Sequence, residues 1–523
     1  LGVALSQKGW QRWGLFTASC FVALSIYVSG SRGALAGMLG LGIVSVFLGI
    51  LLSRKGNRRR WIISGICFCL IMSLALLSNP RVRALFSVTP PVESGSISVV
   101  SVADGPTKDR IFMLESARNI LKAHPILGVG PGNLSRVYNN YRPLEAGTGA
   151  NIVQQLHNTP AQIAAELGLL GFSAYATILF VICRLGLILY KKKTESRDRI
   201  LLCTIAASWL GYSISSLSDY QLENIGISIT LLSTIALLVN LADSTKLNTP
   251  HLSLSKRARR TISMILILFL CVNFQLWARV DVGFYLSHTA IQDARALNLV
   301  GADAKWSKAS KLVPWDPTYS ALAADSILEL MDGLESGDDR QELRLLAIDR
   351  LRQAVQSAPA DPWFNQNLAA LLIDSGDAAA AEPYAKEAVR LFPRDIHNYA
   401  YYTLGMSLFQ QGKESEAVEA FMLEALASPI FLTASNWNHL PLLSIRDEVV
   451  RKTLEAYRQV LSKTNKLSGQ YAWLYEQWAM LSWWYDYPVS EQERKETRPL
   501  VQALLLSNED TQESLQLIDQ HLA

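Results

Sequence analysis

The chain has little of what usually announces chemistry. Its 523 residues include only six cysteines and seven histidines, and 18% of them are charged. Cys20, Cys67, Cys69, Cys183, Cys203 and Cys271 all lie in apolar segments, and none follows Cys271. That pattern offers neither a disulfide framework nor a Cys/His metal spacing, so the thiols read as small core hydrophobes and no metal or cofactor is expected. A net charge of +4 is too small to argue for nucleic acid, and most of the excess lies in clusters that membrane topology explains better. No leader with a basic start and a small-residue cleavage site precedes the first apolar run, and the first residue is Leu1. The chain is therefore expected to begin partway through a larger membrane protein, without its N-terminal spans.

What is present in quantity is apolar sequence, and it is unevenly spread. Half of the residues are hydrophobic, yet nearly all the long runs fall before residue 281. Stretches able to cross about 30 Å of hydrocarbon, or nearly so, run over 13–30, 33–52, 61–78, 165–190, 200–217, 224–242 and 261–280. Three basic clusters separate them, at Arg54 to Arg60, Lys191 to Arg199 and Lys246 to Arg260. Even numbers of crossings lie between these clusters, so one orientation puts all three on the cytoplasmic side. The expectation is a multi-pass protein of the cytoplasmic (inner) membrane. Residues 79–164, the short turn at Asp219 and residues 281–523 then lie outside the cytoplasm.

Arg32 stands in Ser31-Arg32-Gly33-Ala34, between two of these apolar runs. A guanidinium there costs roughly 2.5–3.5 kcal/mol to insert, so it either snorkels to the headgroups or faces a polar cavity and holds an anion. The loop 79–164 is too long for a mere connection. Within it, Ile111, Leu114, Ala117, Ile120 and Leu121 keep helical spacing, which predicts an amphipathic helix opened by Arg110 near the membrane surface. Ile126-Leu127-Gly128-Val129-Gly130-Pro131-Gly132-Asn133 follows. No strand precedes it and no Lys-Ser/Thr pair closes it, so it reads as a turn that lets backbone approach backbone rather than a phosphate loop. His157 sits just before the fourth span, at the membrane boundary. Alone, a histidine there reads as a solvated interface residue.

The succession Ser31-Arg32-Gly33, Arg110, His124-Pro125-Ile126-Leu127-Gly128-Val129-Gly130-Pro131-Gly132-Asn133, His157-Asn158 and Glu166-Leu167-Gly168-Leu169-Leu170-Gly171 resembles the O-antigen ligase and Wzy-type polymerase family over roughly residues 15–240. The resemblance implies a GT-C-like polytopic glycosyltransferase. Such an enzyme moves a glycan from an undecaprenyl-diphosphate carrier to a sugar or protein hydroxyl outside the cytoplasmic membrane, without a metal. Carried over by motif, it implies that Arg32 and Arg110 bind the diphosphate and that His157 is the catalytic base. This chain departs from the family pattern at Asp109, at Met113-Leu114 and at Pro160. The residue types suit the chemistry, since guanidiniums can clamp a departing diphosphate and an imidazole can take a hydroxyl proton. Single displacement would invert the anomeric carbon, and no glycosidase-type carboxylate pair is evident. Arg136 and Arg142 are secondary candidates for glycan contact or else solvated loop charge. Asp219 could orient His157 or an arginine.

Beyond Ala278 a period replaces the apolar runs. Pro359 and Pro393 lie 34 residues apart, with Ala347 and Ala354 before the first matched by Ala381 and Ala388 before the second. A further unit fits Leu404, Gly405, Leu408, Ala417, Phe421 and Pro429, and a divergent earlier one fits Ala302, Trp306, Ala309 and Pro314. These repeats resemble the tetratricopeptide family, which implies a surface for a protein partner; a rigid spacer or an oligomerisation arm is the alternative. Residues 430–523 stay helical without a clear repeat, and their crowded aromatics suit a solenoid cap, sugar stacking or the membrane interface.

The whole reads as an all-α protein. A transmembrane domain over 1–280 precedes an α-solenoid over 281–430 and a helical extension over 431–523. The competing function is a catalytically silent membrane anchor that displays the repeats as a scaffold for cell-envelope polysaccharide assembly.

Overall fold

The computed structural model describes residues 9–28, 106–146, 153–192, 195–244, 255–332, 338–393, 398–462 and 470–506, with scattered positions between 37 and 78. All regular structure among them is helical. Most of the second and third expected spans, and Arg32 with them, lie outside the described residues.

Helix α1 covers Trp10–Val28. Its few hydroxyls do not break it, because each bonds back to its own helix: Thr17 to the Trp13 carbonyl, Ser19 to Leu15 and Ser25 to Phe21, all at 2.9 Å. Within the long loop stand α2, Pro106–Ala123, and the short α3, Leu134–Tyr141. The expected loop helix thus starts four residues before Arg110, with proline at its first position, where no N–H is needed.

Four further apolar helices follow: α4 over Thr159–Lys192, α5 over Ser196–Ser216, α6 over Ile225–Ser244 and α7 over Lys256–Arg295. By length and composition α4, α6 and α7 can each cross a membrane. Leu189, Leu202, Ile205, Leu238 and Ala242 form a buried cluster at the basic end of α4, α5 and α6. The opposite faces carry exposed apolar side chains such as Leu170, Phe180, Leu232 and Phe269, as lipid contact requires.

Helix α7 is 40 residues long, about 60 Å at 1.5 Å per residue. Residue 280 lies inside it. Its first part is exposed and apolar, whereas Gly283, Ser287 and Ala290 are buried against α8, Leu299–Leu312. The Trp306 indole N–H donates to Ser287 Oγ at 3.0 Å across this contact. The last helix long and apolar enough to cross a membrane is therefore also the first helix of the C-terminal array.

The array continues with α9, Pro317–Asp332; α10, Asp338–Ser357; α11, Pro362–Asp374; α12, Ala378–Leu391; α13, Ala400–Gln410; and α14, Glu414–Ala427. Successive helices pack on one another. The second helix of each pair ends two residues before a proline, at Pro314, Pro359, Pro393 and Pro429, because proline cannot continue the ladder. The periodic alanines sit where the helices touch: Ala302, Ala309, Ala347, Ala354, Ala381 and Ala417 have no exposed surface. Gly405 serves the same close approach, since a Cβ there would lie 2.5 Å from the Phe421 ring. Helices α15, Leu443–Ser462, α16, Gln470–Trp484, and α17, Glu491–Leu506, close the array. Tyr475 and Trp478 are buried and stacked there with ring centroids 5.8 Å apart, so these two aromatics are core rather than a sugar platform.

Candidate active site

Helix α4 is not continuous. Gly168 has φ 63° and ψ −164°, which interrupts the helical ladder inside an apolar segment. Backbone groups freed at that depth need partners from the protein. The loop after α2 supplies them: Leu169 N–H donates to the Pro125 carbonyl at 2.8 Å and Leu170 N–H to Ile126 at 3.2 Å. In return Val129 N–H donates to the Ala165 carbonyl at 3.1 Å and Gly130 N–H to Glu166 at 2.8 Å. This is the close backbone approach that the glycine run predicts. A Cβ on Gly128 would lie 2.4 Å from the Glu166 carbonyl carbon, and one on Gly168 would lie 2.3 Å from the Ile126 oxygen.

The clasp anchors the start of α4, and His157 stands two residues before that start. His157 has φ 49°, a left-handed conformation that costs roughly 1–2 kcal/mol outside glycine and needs its surroundings to hold it. Asn158 does part of this. Its Oδ1 caps α4 by accepting from Ala161 N–H at 2.9 Å, and its Nδ2 donates to the Leu217 carbonyl at 2.8 Å. Thr159 Oγ1 donates to the Asp219 carbonyl at 2.9 Å, so the turn between α5 and α6 is tied to the same point. Pro160 fits here because it occupies the first turn of α4. With the backbone so fixed, His157 Nδ1 lies 3.0 Å from Asp219 Oδ1. Both side chains are about two-fifths exposed, at 41% and 40%, so the pair is open to a ligand. His157 Nε2 has no hydrogen-bond partner among the described residues.

Arg110 belongs to the same packed unit. Met113, Ala117 and Ile120 of α2 share one buried cluster with Leu134 and Tyr138 of α3, with Val153 and Leu156, and with Ala165 of α4. Met113 is one helical turn from Arg110, and Leu156 adjoins His157. Arg110 is half-buried, and no hydrogen bond or ion pair with a described residue engages it. Its neighbour Asp109 is held differently: burial pushes that carboxyl up, against the pull of the Arg142 guanidinium. Beside the His157–Asp219 pair, burial pushes the Tyr220 hydroxyl up to about 12, with Glu166 and Glu223 acting in the same direction. Tyr220 is therefore a neutral hydroxyl at physiological pH. Gln155 Nε2 donates to Glu223 Oε2 at 3.0 Å. Arg32 lies outside the described residues, but Gly37, five positions later, packs on α5: a Cβ there would lie 2.8 Å from the Gly211 oxygen.

The structure places Arg136 elsewhere. Its guanidinium donates to the carbonyl of Trp315, at the turn between α8 and α9. Two more contacts join α3 to the array: Arg390 donates to Asn140 Oδ1 at 2.6 Å, and the Arg142 guanidinium lies 4.8 Å from the centroid of the Phe392 ring. The helical array thus grips the helix next to the site. Replacing both Arg142 and Arg390 by alanine should leave the array folded while amide hydrogens of residues 134–141 exchange roughly fivefold to thirtyfold faster, because each exposed contact contributes about 0.5–1 kcal/mol. Unchanged exchange would show that the grip does not hold α3.

Residues 17–176 match the family model of the O-antigen ligase. This segment is similar to the O-antigen ligase domain. The match includes α2, the glycine clasp, His157-Asn158 and the break at Gly168, and it ends before Asp219. Together with the three helices long and apolar enough to cross a membrane, the match suggests a membrane protein with activity of glycosyltransferase type. No curated protein matches the chain. The matched segment also contains a buried polar pair, Gln162 and Glu166; by sequence Glu166 stood in its motif without a role and Gln162 was passed over. Their separation of four, which puts both on one face of α4, was the available signal.

Proposed function

We propose that the protein transfers a glycan from an undecaprenyl-diphosphate carrier to a sugar or protein hydroxyl on the extracytoplasmic side of the cytoplasmic membrane. The observation that carries this reading is the His157–Asp219 contact at 3.0 Å, built at the end of the membrane helices on a strained backbone. Asp219 accepts the Nδ1 proton and fixes the tautomer, which leaves the Nε2 lone pair free to take a proton. In the transfer step the acceptor oxygen forms a bond to the anomeric carbon and its proton passes to Nε2. The bond from that carbon to the phosphate oxygen breaks, and lipid diphosphate departs. Arg110, uncommitted to any described side chain, and Arg32 hold the charge that develops on the leaving group. The chemistry uses no metal, and a single displacement inverts the anomeric centre. The helical array resembles tetratricopeptide repeats and presents a protein-binding surface beside the site.

The test is transfer in liposomes by the purified protein, with an oligosaccharide on undecaprenyl diphosphate as donor, candidate sugar and protein acceptors, and chelator present. Release of lipid diphosphate in step with acceptor glycosylation, with inverted linkage by NMR, is expected. Donor left intact with every acceptor would overturn the reading. Sidedness is tested separately by a Ser375→Cys variant, which an impermeant thiol reagent should label in intact cells beyond the wild-type background.

A further inference from the structure

Glu166 is 4% exposed in the first turns of α4, and the transfer chemistry makes no use of it. Its carboxylate nevertheless connects three segments. Oε1 accepts from Gln162 Nε2 at 2.9 Å, and the backbone N–H groups of Gly132 and Leu134, where α3 begins, favour the charged carboxylate against its burial. Gln162 has no exposed surface, and its Oε1 accepts from the backbone N–H of Leu156 at 2.9 Å. Leu156 immediately precedes His157. A line of hydrogen bonds thus runs from a carboxylate facing the start of α3, through one amide, to the backbone that carries the imidazole.

The glycine clasp does not need this line, because its four backbone bonds already satisfy the break at Gly168. Burying a carboxylate and a carboxamide is costly unless their polar atoms are engaged, and here the two side chains face donors from two separate loops. What the line does control is the residue before a left-handed histidine.

We propose that Glu166, acting through Gln162, is a positioning residue for His157. By pinning Leu156 it keeps His157 in the conformation in which Nδ1 meets Asp219, and it couples that conformation to α3 and so to the helical array gripping α3. The proposal rests on the reading of His157 as the base. Displacement of a catalytic group by about 1 Å is enough to cost on the order of a hundredfold in rate.

Donor and acceptor matching gives the test. Glu166→Gln sets an amide NH2 against another donor, either that of Gln162 or the N–H groups of Gly132 and Leu134. Gln162→Glu sets two carboxylates face to face. Each single variant should lower kcat about 10- to 100-fold with the donor KM within about twofold. The double variant Gln162→Glu/Glu166→Gln restores the matching: the carboxylate at position 162 takes the Leu156 N–H and the amide from position 166, whose oxygen faces the N–H groups of Gly132 and Leu134. Its kcat should recover to within about threefold of wild type. A folded double variant, judged by its melting temperature, that is no faster than the singles would overturn the proposal, even if the singles fold poorly. So would single variants with wild-type kcat beside an inactive His157→Ala control. Wild-type protein without transfer activity would instead defeat the functional reading itself, and the positioning role with it.

Discussion

His157→Ala should lower glycan transfer about 10²- to 10⁴-fold, the range a positioned general base supplies, while expression, membrane insertion and melting temperature stay close to wild type. The small structural cost follows from the geometry. The ring is two-fifths exposed and makes one hydrogen bond, to Asp219, whereas the backbone around it is held by Asn158, Thr159 and Gln162. Asp219→Asn is the sharper variant. It keeps the shape but offers Nδ1 either an amide donor or a weaker acceptor, so Nε2 can carry the proton and lose its basicity. Transfer should fall at least tenfold, with the donor KM little changed. A scaffold that merely displays the helical array predicts the opposite: both variants would support as much surface glycan as wild type.

Alanine at Gly128 or Gly168 should be the most damaging single change in the membrane half. Both residues have positive φ, at 65° and 63°, which alone costs an alanine roughly 1–2 kcal/mol. Each new Cβ would also meet backbone at 2.4 Å or less, and rigid backbone cannot turn aside as a flexible side chain can. Relief of the clash requires the loop to lift from α4, which breaks some of the four clasp bonds and exposes unsatisfied peptide groups to an apolar surrounding. The expected loss is about 3 kcal/mol or more, read as a lower melting temperature, faster exchange of the 125–130 amides and abolished transfer. Gly132→Ala is the control. It too has positive φ, at 72°, but a Cβ there meets nothing within 4 Å, so it should cost only the backbone strain. Equal destabilisation by all three would show that conformation, not close approach, is what the glycines provide.

Much of the architecture was legible in the residues because it depends on local patterns. Hydropathy over α4, α6 and α7 marks membrane helices wherever they pack. The 34-residue spacing of Pro359 and Pro393 places the ends of α10 and α12, since proline stops a helix regardless of context. The glycines of 128–132 announced a tight backbone approach, although not with whom. Those features are set by a residue's own conformational preferences and by its solvent.

Which side chains meet was a different question, decided only by the tertiary structure. His157 and Asp219 lie 62 positions apart, and they touch because α4 and α5 pack side by side and Thr159 ties the intervening turn. Arg136 looked like loop charge with a possible glycan role, and its partner is a carbonyl 179 positions away in the helical array. Glu166 stood in a motif without a role and Gln162 went unremarked, and only the folded chain pairs them at 2.9 Å beneath the histidine loop. A sequence states what each residue prefers, and it determined the helices, their membrane character and their breaks. Pairings between distant residues cost chain entropy that only the assembled packing offsets, so the site itself belongs to the folded molecule.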